Sequence, residues 1–191
     1  MAHPKSSRTI HTLEVGSALL LPSVAKLWKV TSGDFRESRE GDAGVEHIHT
    51  LGGEVLLAIV ISVAQRPRGI SFVTDDESAH QIGVLNWPEG HLIDAHIHNP
   101  LTRTIDSTQE VLFIRSGRVR MDLYDMEKNY QCSRELGSGD TVFLVAGGHG
   151  FEILEDADIV EVKQGPYLGE GEKTRFTPEG NPHWKGSHGR E

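Results

Sequence analysis

The chain has 191 residues, enough for one domain with appendages and a sizeable core. Lys and Arg number 19 against 28 Asp and Glu, a formal charge of −9, which argues against a nucleic-acid or anionic-membrane surface because such partners reward a basic face. Cys132 is the only cysteine, so an intrachain disulfide is excluded, and the apolar runs at 15–21 and 55–64 fall short of the roughly 20 residues a spanning helix needs.

In chain order, residues 1–48 read as an irregular N-terminal extension. Within it, 23–30 fits a short helix or a strand, and 32–44 is a polar loop. The extension is placed to wrap the rest of the domain or a neighbouring subunit. Its first residues lack the layout of a signal peptide, so a cytoplasmic protein is expected. From 49 to 176 the pattern is repetitive β. Residues 55–63 are continuously apolar and β-branched, which predicts a strand buried on both faces. Further strand-like runs follow at 70–73, 82–87, 92–98, 109–115, 118–125, 129–136, 141–145, 149–154 and 158–164. Turn residues separate most of them, among them Ser116-Gly117, which is read as reversing the chain. No helical period interrupts the series, so the expected class is all-β, a sandwich or barrel. Residues 177–191 carry little that is apolar except Trp184 and are expected to form a loosely ordered tail.

Histidine placement carries the chemistry. Asp94, His96 and His98 alternate with Ala95 and Ile97, so a strand here would set two imidazoles on one face, roughly 7 Å apart at the backbone. Glu110 opens the run Glu-Val-Leu-Phe-Ile-Arg and shares a register with Leu112 and Ile114; Val119, Met121 and Leu123 continue the apolar set after residue 117. His149 shares a register with Phe151 and Ile153. Glu110 and His149 are thus polar exceptions on inward-facing apolar registers. A lone buried carboxylate is costly unless paired or bound to a cation, so a metal ion is the simplest remedy. His47-Ile48-His49 has the same local form as 96–98 but no acid and glycine frame after it, and reads as a decoy. Arg103, Gln109, Lys163 and Tyr167 are candidate contacts for a polar ligand, although each is also what an ordinary surface offers.

These residues resemble the cupin family. Its first motif, Gly, five residues, His-x-His, a gap, Glu, six residues, Gly, is met by Gly90, His96-Ile97-His98, Glu110 and Gly117. The gap of eleven residues, 99–109, exceeds the usual three or four and reads as an insertion at the barrel mouth. The second motif is met more loosely, by Gly139, Gly147 and His149, without its proline and its asparagine and one residue short. The resemblance covers about residues 53 to 165. It implies a double-stranded β-helix (jelly-roll) barrel, a homodimer, and one divalent transition metal ion (Zn, Mn, Fe, Ni or Co) held by His96, His98, Glu110 and His149.

Three imidazoles and one carboxylate disfavour Ca and Mg, which take all-oxygen shells. They suit an ion that polarises a carbonyl or activates a bound molecule. The expected function is therefore a metal-dependent enzyme that isomerises or epimerises a small sugar-like or carbonyl substrate. An iron-dependent dioxygenase, and a non-catalytic barrel that binds a sugar or effector, are the alternatives. Nucleic acid and membrane are not expected partners.

Overall fold

The computed structural model describes residues 44–186. Eight strands form in chain order: β1 (Val45–His49), β2 (Leu56–Ile61), β3 (Gly69–Phe72), β4 (Gly83–Asn86), β5 (Glu110–Tyr124), β6 (Tyr130–Gly137), β7 (Thr141–Leu144) and β8 (Gly148–Lys163). One short 3-10 turn, Gly169–Glu172, follows. Among the described residues no α-helix forms, and no helix is long and apolar enough to cross a membrane.

The main sheet is antiparallel, in the order β1-β2-β7-β5-β6, with β8 pairing β5 along its length. β7 pairs the first part of β5, Glu110 to Phe113, and β6 pairs the last part, Arg118 to Tyr124. The β5–β8 ribbon therefore belongs to two sheet halves. The core lies between them: Leu112, Ile114, Val142 and Leu144 from one half meet Val119, Met121, Leu123 and Leu136 from the other. The result is a curled sheet, a half-barrel. Two side-chain bridges tie its β1 and β6 portions. Arg134 grips the Glu46 carboxylate with Nε and Nη2 at 2.7–3.1 Å, and the Leu51 amide donates to Gln131 Oε1 at 2.8 Å.

The continuous apolarity of β2 has the predicted cause. Leu57 to Ile61 are buried throughout, because Ala58 and Val60 face the core while Ile59 and Ile61 face a second layer. That layer is the β3–β4 hairpin, packed through Val73, Ile82 and Val84.

Three local features differ from the sequence expectation. Ser116-Gly117 does not reverse the chain: β5 runs straight through, and register shifts on both sides of Ser116 mark a bulge. Gly117 has φ +83°, and a Cβ there would lie 2.1 Å from the Asp156 carbonyl oxygen, so only glycine fits. The runs 149–154 and 158–164 likewise merge into one strand, β8. Residues 92–98 form no strand but lie in an irregular stretch between β4 and β5. β1 falls across the expected end of the extension at residue 48, and the rest of that extension, 1–43, is outside the described residues.

Candidate functional site on the concave face

Along the β5–β8 ladder Glu110 pairs with Lys163 and Leu123 pairs with His149. Thirteen positions therefore separate the rung of Glu110 from that of His149, a distance of roughly 40 Å in a straight strand. Yet His149 Nε2 lies 3.2 Å from Glu110 Oε2. The bend of the ribbon at its bulge makes this contact. It closes the two ends of the ladder over a cleft of about 370 Å³, floored by Leu112, Leu144 and Phe151.

The Glu110 side chain is 16% exposed and that of His149 is 34% exposed. The hydrogen bond from His149 pulls the Glu110 carboxyl below its ordinary value. Burial opposes this, and the charges of His149, Lys163 and Lys173 reinforce it. Glu110 is thus an anion at neutral pH. Lys163 Nζ lies 3.9 Å from Glu110 Oε1 and 3.4 Å from Glu161 Oε1. Desolvation pulls its ammonium down, but Glu161 and then Glu110 more than offset this and hold it above its ordinary value. Glu172 and Lys173, from the segment after β8, complete the polar rim.

Of the candidate site residues, the fold brings together Glu110, His149 and Lys163. His96 and His98 are exposed in the stretch before β5, their rings 5.2 Å apart and nearly perpendicular. His96 Nδ1 is 2.8 Å from the backbone carbonyl oxygen of Asp94. Among the described residues no group of three or more metal-binding side chains converges. As the chain is arranged, Glu110 and His149 therefore offer two ligands to an ion, and the four-residue set is not assembled. Arg103 is exposed in the same stretch. Gln109 sits on the outer face, its Oε1 3.0 Å from His80 Nδ1 and its amide donating to Gln164 at 2.9 Å. Tyr167 is 66% exposed and places its ring 5.8 Å from Lys163 Nζ.

Sequence reasoning passed over Glu161, Glu172 and Lys173. Glu161 could have been found, since it sits two residues before Lys163 and so shares its face. Glu172 and Lys173 lie outside any strand period, and no pattern announces them.

A small second cavity of about 70 Å³ lies on the outer side, beneath the hairpin, beside His47, Val73, Gln109 and Phe143. His47 Nε2 there is 2.8 Å from the Val73 carbonyl oxygen. Comparison of the chain with family models, with curated proteins and with solved structures returns no match.

Proposed function

We propose that the concave cleft binds a small polar compound, sugar-like or carbonyl-bearing, and moves a proton on it, giving isomerisation or epimerisation. The observation that carries this reading is the 3.2 Å contact between His149 and Glu110 in an otherwise apolar corner of the cleft. An anionic Glu110 accepts a hydrogen bond from Nε2–H and so leaves the lone pair on Nδ1. Nδ1 can then take a proton from carbon next to a carbonyl, and Glu110 stabilises the imidazolium that forms. Lys163 and Lys173 supply positive charge for the enediolate oxygen that develops. Phe151 and Leu144 exclude water from the apolar side of the substrate.

The bent two-stranded ribbon is also how a double-stranded β-helix closes, and with the motif spacing it supports a cupin-type barrel as the finer fold. A metal-dependent version, with a divalent transition ion on His96, His98, Glu110 and His149, requires the stretch between β4 and β5 to carry its two histidines to the cleft. No step is routed through an ion here.

Solvent exchange tests the proton transfer. The protein is incubated in D2O with a panel of aldoses, ketoses and 2-oxo acids, and loss of C–H signal is read by proton NMR. Wash-in of deuterium is expected, falling by about 10²–10⁴-fold in His149→Ala. Saturable binding with no exchange would make the cleft a non-catalytic binding site. Turnover that stops when oxygen is removed would favour the dioxygenase instead.

A further inference from the structure

The outer side of the sheet is only half covered. Val45, Ile61, Thr141, Phe113 and Val160 form one cross-strand row through β1, β2, β7, β5 and β8. At the β1 end, under the hairpin, Val45 and Ile61 are 5% and 7% exposed. At the β8 end the cover has run out: Phe113, Val160 and Val162 are 43%, 39% and 54% exposed. β8 is also an edge, pairing only with β5 among the described residues. A long apolar-flanked edge is an invitation to a further segment.

Charge narrows the occupant. β8 carries Glu152, Glu155, Asp156, Asp158 and Glu161 against Lys163 alone. Arg118, Arg120 and Arg115 of β5 answer Glu155, Glu152 and Asp158. Antiparallel pairing of two copies along this edge would still oppose acid to acid, which is destabilising. A basic, apolar segment fits better. Residues 19–30 read Leu-Leu-Leu-Pro-Ser-Val-Ala-Lys-Leu-Trp-Lys-Val, with two lysines and no acid. They also lie within reach. The chain enters the described fold at Gly44, beside Val45 at the covered end of the same row. The bare end is four strand spacings away, about 19 Å. Residues 31–43 can span about 40 Å when extended.

We propose that residues 19–30 of the same chain cover the bare outer face, with Leu27 and Trp28 on the Phe113–Val160–Val162 patch and Lys26 and Lys29 toward the acids of β8. This is independent of the chemistry assigned to the concave cleft. It is tested in the full chain by replacing Cys132 with Ser, introducing Val162→Cys, and measuring the rate of maleimide labelling. Cover by the segment makes the thiol react about tenfold or more slowly than a free one. Adding Leu27→Asp with Trp28→Asp restores the free rate, and Lys26→Glu with Lys29→Glu, a gentler change, restores part of it. Fast labelling in the parent overturns the proposal, and so does slow labelling that neither pair of substitutions alters. Sedimentation velocity on the same samples identifies a second copy: protection confined to a dimer that persists in both variants assigns the face to that copy and overturns the proposal.

Discussion

Burial of the Glu110 carboxyl favours its neutral form, and the imidazole of His149 reverses that preference. Replacing His149 with Phe removes the largest influence and leaves burial in place. The Glu110 carboxyl is then expected to titrate at higher pH than in the parent, as read by carbon-13 NMR of the side-chain carboxyl. Identical titrations in the two proteins would contradict the pairing. A carboxyl lowered in the folded state stabilises the fold above its ordinary value of 4.5, and that contribution is lost as pH falls through the folded value. The parent's advantage over the variant from this source therefore belongs to neutral pH and fades in acid. Both partners were legible as sequence, because each interrupts an apolar alternation: 110 with 112 and 114, and 149 with 151 and 153. Their meeting was not, since alternation reports which face a side chain takes and says nothing about where a strand bends.

The bend belongs to β5 and β8 together. The inward set runs on even numbers through 110, 112 and 114 and on odd numbers through 119, 121 and 123. A tight turn produces that change of parity, and so does one extra residue in a bulge. Hydrophobic pattern alone cannot separate them, which is why a hairpin was the natural reading of Ser116-Gly117. Gly117→Ala probes the bulge. Its Cβ would meet the Asp156 carbonyl and the Ala157 Cα at 2.1 and 2.6 Å, at a positive φ. A loss of about 1–3 kcal/mol or more is expected in urea unfolding, and a smaller cost would mean that the ribbon is not closed there. The stretch between β4 and β5 fails differently. Its alternation offered only Ala95 and Ile97 for burial, and Ile97 is 88% exposed, with no neighbouring strand to pair. Because His96 and His98 are exposed, the double substitution to Ala should leave the melting temperature of metal-stripped protein within about a degree of the parent. If this stretch closes over the cleft around an ion, the parent gains stability with added zinc or manganese as RT ln(1 + [L]/Kd), and the variant does not. Equal gains in both proteins would exclude the two histidines as ligands.

Across the whole molecule, the segment after β8 links the two sides of the sheet. Its first part lines the concave cleft through Glu172 and Lys173, and its later part lies on the opposite face. There Phe176 packs edge-on to Tyr124, with ring centroids 5.1 Å apart, and stands against Gly148, the neighbour of His149. Asn181 is buried and donates to the Tyr124 hydroxyl at 2.7 Å. A proline- and glycine-spaced tail gives no apolar period from which this anchorage could be read. Asn181 also reaches Asp122, the centre of a buried polar group with Arg120 and Ser133. Burial pushes the Asp122 carboxyl up, but hydrogen bonds from Arg120, Ser133 and Asn181 outweigh it and hold the group below its ordinary value of 3.8. Its stabilising contribution is therefore complete above that value and lost as the pH falls through the folded one. Asn181→Ala leaves the Tyr124 hydroxyl and a charged Asp122 oxygen each short of a donor or partner, at a cost of about 1–3 kcal/mol near neutral pH. Once Asp122 is protonated, the part of that cost owed to its charge disappears. Urea midpoints of parent and variant should accordingly lie well apart at pH 7 and draw together in strong acid. A gap that stays constant across the titration would mean that Asn181 holds the segment through Tyr124 alone, with Asp122 taking no part in the clasp.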